Sequence, residues 1–353
     1  MLNFAMYFIL SDRYLTVLKH SISNKTTMSI KNFSGKGKRI LNWLAGILVV
    51  CLVIVGGGSV YLVDYALASD PDSRPTHFEK MTMNYPELRP WLDSLNTHKS
   101  LRHTFLVMPD TKLRSHCIYI PAPHPTANTA MLIHGYTNNA TDMLHIARLY
   151  NVYMGYNVIM PGLHGHGLSD GDDIQMGWKD RLDILQWIKS TPLILNIPRD
   201  SMRMVVHGVS MGAATTMCVS GEKTPESVRC FVEDCGYTSA WDEFEHELKG
   251  RFSLPAFPLL YTSSWLTKLK YGWSFKEASP LKQVAKCHKP MLFIHGSNDT
   301  FVPTWMVYPL YKAKPGVKEL WVAPGSAHAM SYHDHKKEYT QKVVDFVGKY
   351  MAQ

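Results

Sequence analysis

Residues 206–216 read VHGVSMGAATT, with Ser210 set between two glycines where an apolar run meets a string of small residues. The run before it, 203–207 (RMVVH), is β-rich, and 211–221 has the small side chains of a helix packed closely on its neighbours. A serine at a tight strand-to-helix turn needs flanking residues whose side chains stay out of the way. Gly208 and Gly212 meet that need, letting strand and helix pass closely while Ser210 adopts strained backbone angles. A helix starting at Met211 would turn free N–H groups and its positive dipole end toward any negative charge developing beside Ser210. Taken alone the pentapeptide is compatible with an ordinary Gly–Ser turn, so its surroundings must decide.

Those surroundings alternate. Short apolar runs at 129–134 (TAMLIH), 157–160 (NVIM), 203–207, 229–233 (RCFVE), 291–295 (MLFIH) and 319–322 (ELWV) are separated by helical patterns at 141–154, 178–190, 211–221 and 333–351. Apolar runs without strict alternation are what strands covered on both faces look like, and strand–helix alternation implies a mainly parallel sheet with right-handed crossovers. Residues 101–120 offer preceding antiparallel strands. The 53 residues at 237–289 are too many for a structureless loop between neighbouring strands, and are expected to hold helices that cap one end of the sheet. Their ten aromatics supply both a small core for the cap and the roof of an apolar pocket.

A serine hydroxyl becomes a nucleophile when a base takes its proton and an acid orients that base. Such partners belong at strand ends on the same sheet edge. Asp299 follows the strand-like 291–295 in HGSNDTFVP, and His328 follows 319–322 in GSAHAM, giving the order Ser210, Asp299, His328. The expected oxyanion donors are the backbone N–H groups of Met211 and of Tyr136, the latter in the loop HGYTNN (134–139). Asp234 is a rival acid. Cys235, Tyr136, Tyr237 and Trp241 are candidates for lining the pocket. His207 reads as a packing residue. The pairs His164/His166 and His333/His335 have no third ligand nearby in the sequence, so neither reads as a metal site.

With these pieces assembled, the chain resembles the α/β-hydrolase superfamily, through HGYTNN, HGHGLSDG (164–171), GVSMG, HGSNDTFVP and GSAHAM in that order over residues 101–350. In detail it is similar to the bacterial esterase and serine-aminopeptidase-like branch, whose eukaryotic relatives include membrane-associated acyl-protein thioesterases. The resemblance implies an eight-stranded, mostly parallel sheet with helices on both faces and a small helical cap. It also implies a triad of Ser210, Asp299 and His328 working without metal or organic cofactor. The expected activity is serine hydrolysis of acyl or aryl esters; a peptidase, thioesterase or acyltransferase on the same triad is the alternative.

Outside the resemblance lies the N-terminal region. Residues 1–39 carry seven Lys/Arg and one Asp, so the net charge of +8 belongs mostly to a tail, and the body offers no basic surface for nucleic acid. Residues 40–63 contain no charge and, as a helix, would span roughly 36 Å, enough for a ~30 Å hydrocarbon core. Lys25, Lys31, Lys36, Lys38 and Arg39 precede this segment; Asp64, Asp70 and Asp72 follow it. That asymmetry orients the N-terminus to the cytoplasm and the body across the membrane. Three readings of the segment stay open: an uncleaved anchor, a signal cleaved after Ala68 in Ala66-Leu67-Ala68, or a buried helix. Met28 before the basic stretch is a plausible start. The expected organisation is a tail (1–39), an anchor or signal (40–63), an entry linker (64–100), a core in two parts (101–236 and 290–353) and the cap (237–289). Six cysteines without a C-x-x-C pair form no disulfide framework or zinc site.

Overall fold

The computed structural model describes residues 35–70 and 77–352, so most of the basic tail, Met28 and Asp72 lie outside the described residues. The chain divides into two units between Gly57 and Gly58. The first unit, as far as described, consists of the first 23 residues of helix α1 (Gly35–Leu67). Its apolar side chains are exposed, and α1 is long and apolar enough to cross a membrane.

The second unit begins with the last turns of α1, followed by α2 (Phe78–Asn84) and α3 (Arg89–Thr97). Then come β1 (Arg102–Val107), β2 (Arg114–Ile120), β3 (Asn128–Ile133), α4 (Leu144–Arg148), β4 (Asn157–Pro161) and α5 (Asp180–Leu195). The middle of the unit holds β5 (Arg203–Val209), α6 (Met211–Ser220), β6 (Val228–Asp234), α7 (Ala240–Phe252), α8 (Leu259–Tyr271) and α9 (Pro280–Val284). It closes with β7 (Met291–Gly296), α10 (Val307–Ala313), β8 (Lys318–Ala323), α11 (Ser331–Asp334) and α12 (Lys336–Met351).

The strands form one eight-stranded sheet in the order β1-β2-β4-β3-β5-β6-β7-β8. Only β2 runs against the rest, pairing antiparallel with β1 and β4. Strand residues alternate between two cores. Met131 and Ile133 face one side of the sheet with α5, α6 and α10; Ala130 and Leu132 face the other with α2, α3, α4 and α12. A period of two feeding two helical layers is why these strands read as continuous apolar runs. Each fully buried Leu, Ile or Val contributes roughly 1.5–3 kcal/mol. This is the α/β-hydrolase fold, and it brings the C-terminal ends of β3, β5, β6, β7 and β8 to one edge.

Within the entry segment the described residues 78–97 form α2, a 3₁₀ turn and α3, and Met81, Leu88, Leu92 and Leu95 are buried in the second core. Residues 141–154 are a broken helix, a short 3₁₀ turn, α4 and one wide turn, in place of one continuous helix. In 237–289, Ser239 caps α7 by accepting from the Asp242 N–H, and left-handed Ser253 and Gly272 end α7 and α8.

Candidate active site

Ser210 sits at the turn between β5 and α6 with φ 59° and ψ −122°, a backbone conformation that L residues rarely adopt. Packing holds it there. A Cβ on Gly208 would lie 2.0 Å from the Gly212 carbonyl oxygen, and one on Gly212 would lie 2.0 Å from that of Ile133. No other residue fits either position, because the α6 backbone rests directly on β5 and β3. The Ser210 N–H donates to the Asp234 carbonyl (2.8 Å) and its own carbonyl accepts from Ala214 (3.0 Å), fixing the turn from both sides.

The Ser210 Oγ lies 2.8 Å from His328 Nε2, and His328 Nδ1 lies 2.7 Å from Asp299 Oδ2. Asp299 is buried, and its Oδ1 accepts from the N–H groups of Phe301 and Val302, each at 3.0 Å. Burial alone would raise its pKa, but hydrogen bonding from His295 and His328 outweighs burial and holds Asp299 below the usual carboxylate value. The acid therefore stays ionised, and His328 is held with Nδ1–H toward Asp299 and Nε2 free to accept from serine.

Asp234 has a different place. Its Oδ2 accepts from Tyr339 Oη (3.0 Å), and burial raises its pKa to about 6. One strand away from Ser210, it offers that residue's N–H its backbone carbonyl, and its carboxyl meets Tyr339. His207 lies buried between Tyr150 Oη and Tyr339 Oη, each 3.0 Å from a ring nitrogen, and burial lowers it to about 3. It stays neutral and bridges strand to helix.

The loop after β3 passes beside the nucleophile: a Cβ on Gly135 would stand 3.3 Å from Ser210 Cβ. His134 pins that loop, with Nδ1–H toward the Gly135 carbonyl (2.9 Å) and Nε2 accepting from Leu163 N–H (3.0 Å). Asn139 and Asp142 close the loop in a reciprocal cap. Met211 opens α6, so its N–H has no carbonyl one turn back to meet.

A cavity of about 290 Å³ opens above Ser210 and Met211. Tyr136, Tyr237, Phe244, Phe252, Leu260 and Phe275 supply much of its apolar wall, and Leu62, Tyr65 and Ala66 from the end of α1 complete it. Tyr136 Oη donates to the Ala66 carbonyl (2.9 Å), and Tyr237 Oη to that of Met176 (3.0 Å). Cys235 is buried beside the triad, its thiol pushed well up by burial, and does not line the cavity. Trp241 does not line it either. Residues 243, 244, 247, 248, 251 and 252 of α7 line the cavity, while Trp241, in the first turn of the helix, lies edge-on to Tyr261 with the Lys276 ammonium 4.2 Å from its ring.

Residues that the linear reading missed come from the same face. Glu243 is buried in the cavity wall with Oε2 unpartnered, and burial raises its pKa well above the carboxylate range. Glu247 pairs with Arg251 above it. The signal was present in 240–252 as acids and a base four residues apart beside Phe244, Leu248 and Phe252, but it needs the helical phase to be known.

The two histidines of 164–171 do separate work. His164 Nε2 meets Asp173 Oδ1 at 3.0 Å, while His166 Nδ1 donates to the His164 carbonyl at 2.8 Å. Next to them Asp180 is fully buried, with Oδ2 accepting from Gly177 N–H (2.9 Å), Oδ1 unpartnered and burial raising it to about 7. His333 pairs with Asp334, and His335 Nε2 bonds the Pro324 carbonyl. Among the described residues two groups, Cys235/Asp299/His328 and His164/Asp172/Asp173, have ligand atoms close enough for a cation; the first shares Asp299 and His328 with the hydrogen-bonded relay.

The prolyl oligopeptidase family profile matches residues 153–353, more than half of the chain. The chain belongs to the prolyl oligopeptidase family. It is thus a member of the serine hydrolases of the α/β-hydrolase superfamily. It is 30% identical over 255 residues to the uncharacterized protein YqkD of Bacillus subtilis, covering 72% of this chain and 82% of that one. Among solved structures it is similar to the Pyrococcus furiosus esterase Pf2001 (TM-score 0.57, 23% identity, 72% of this chain and 95% of that one). It is also similar to the Pyrococcus horikoshii acylaminoacyl peptidase (TM-score 0.56, 17% identity, 74% of this chain and 44% of that longer one).

Proposed function

We propose that the chain is a membrane-anchored serine esterase that cleaves carboxylic esters of apolar acyl or aryl groups through an acyl-enzyme. The observation that carries this reading is the Ser210–His328–Asp299 relay, with bonds of 2.8 and 2.7 Å, at the floor of a largely apolar cavity. Ser210 Oγ attacks the acyl carbonyl as its proton passes to His328 Nε2, and Asp299 stabilises the imidazolium that forms. The N–H groups of Met211 and Tyr136 take the oxyanion, each such donor contributing on the order of 3 kcal/mol to the transition state. His328 then protonates the departing alkoxide, releasing alcohol. Water, deprotonated by the same nitrogen, attacks the acyl-serine and releases the carboxylic acid.

Glu243 supports the uncharged substrate. Burial favours the neutral form of this carboxyl, and that form can donate a hydrogen bond to an ester oxygen. The same residue favours one rival, a peptidase, because a protonated amine entering the cavity would ionise Glu243 and pair with it. Parallel assays of p-nitrophenyl esters from acetyl to decanoyl and of aminoacyl-nitroanilides decide between them. Rising kcat/KM along the ester series with weak anilide cleavage supports the esterase; a flat series with efficient anilide cleavage overturns it. The apolar segment of α1, flanked by base before and acid after, is read as the anchor that holds the body on the extracytoplasmic side.

A further inference from the structure

The cap presents an apolar face that the chemistry above leaves unused. Tyr261, Trp265 and Leu269 recur every four residues along α8, and Phe257 precedes them in the turn before the helix; the four are 50%, 64%, 63% and 72% exposed. Isolated exposed apolar residues are ordinary, but four large ones in one row are a surface that marks a partner. On the opposite face of the same helix Leu260, Ser263, Ser264 and Thr267 are buried, and Leu260 and Ser263 line the cavity. The helix thus has the cavity on one side and an unpartnered apolar stripe on the other.

Two observations name the partner. First, α8 touches the chain where the apolar segment ends: Ser59 Oγ meets Thr262 Oγ1 at 2.5 Å, and a Cβ on Gly58 would lie 3.0 Å from Leu259 Cδ2. These contacts put the start of α8 beside Gly58 and Ser59 of a helix long and apolar enough to cross a membrane. Second, the stripe has the composition of a bilayer interface. Three of its four side chains are aromatic, and Lys268, Lys270 and Lys276 border it. Lys268 pairs with Glu277, Lys270 lies over the Tyr271 ring at 4.7 Å, and Lys276 lies over Trp241 and Tyr261.

We infer that α8 is an interfacial helix whose Tyr261, Trp265 and Leu269, with Phe257 in the turn before it, insert into the headgroup–acyl boundary of the membrane that α1 spans. This rests on reading α1 as membrane-spanning and is independent of the reaction assigned to Ser210. The lipid-contacting helix is then also a wall of the cavity, which places the mouth of the site at the lipid surface.

Tryptophan quenching tests it on the full chain. Protein reconstituted in phosphatidylcholine vesicles brominated on the acyl chains is compared with protein in unbrominated vesicles. Trp43→Phe reports the apolar segment; Trp265→Phe removes the reporter on α8 while keeping an aromatic surface. The inference predicts that each substitution deletes its own quenched component. Loss at Trp43 with none at Trp265 overturns the inference and leaves the anchor standing; loss at neither overturns both. Quenching at Trp265 without Trp43 also overturns the inference, because the span on which it rests is then absent. A Leu269→Asp variant that turns a dimer into a monomer in detergent would assign the stripe to a second copy and overturn the lipid assignment.

Discussion

Ser210 holds a left-handed backbone conformation at the point where its hydroxyl meets His328, so the proposed nucleophile is also the residue under strain. Replacing the hydroxyl touches little packing. Ser210→Ala is expected to abolish fluorophosphonate labelling and ester turnover while leaving the thermal midpoint unchanged; retained turnover in the purified variant would refute its role. The two candidate acids separate in the same assay. Asp299→Asn takes away the carboxylate that fixes the His328 tautomer and should lower kcat on the order of 10³–10⁴-fold. Asp234→Asn, whose carboxyl meets Tyr339 and not His328, should cost less than about tenfold, and the reverse ranking would exchange their roles. Asp180 gives a pH test. Its folded pKa of about 7 stands above the ordinary 3.8, so the folded chain holds its proton over that window and stability is lost as pH rises through it. Asp180→Asn should therefore raise the melting temperature at pH 8, by the equivalent of up to about 4 kcal/mol, and give no gain near pH 4. An equal offset at both pH values would contradict the buried proton. The residues of the relay were legible in the sequence because each follows a strand and strand ends share an edge. Glu243 was not, because only the rotation of α7 about its axis decides that it faces inward.

At the scale of elements, the contact of α6 with β5 and β3 decides whether a site exists at all. Gly208→Ala is expected to yield insoluble or inactive protein, since its Cβ would meet backbone atoms at 2.0 Å that no rotamer change can move. Soluble protein with wild-type probe labelling would show that the crossing is looser. The strands were readable from apolar runs, and the order of loops gave the sheet its register of functions. What escaped were elements whose pattern is interrupted. Residues 78–97 carry Pro86 and Pro90 and break into short helices, so their burial of Met81, Leu88, Leu92 and Leu95 looked like a linker. The broken helix at 141–154 escaped for the same reason: periodicity fixes an element's presence better than its continuity.

For the whole molecule the expectation is topological. With base before the apolar segment and acid after it, protease added to spheroplasts of an expressing Gram-negative host should digest the body, and intact cells should protect it. A body digested only after lysis would place it in the cytoplasm.

The close of α1 also bears on how the chain matures. Ala68 bridges Asp173, Ser69 N–H donates to the Asp172 carbonyl (3.1 Å), and Ile174 N–H to that of Leu67 (2.8 Å), with Val63 and Leu67 buried. An export peptidase would need this stretch extended and accessible, whereas in the folded body it is paired and partly buried. A chain cut after Ala68 would lose Leu62, Tyr65 and Ala66, and with them a wall of the cavity and the acceptor of Tyr136.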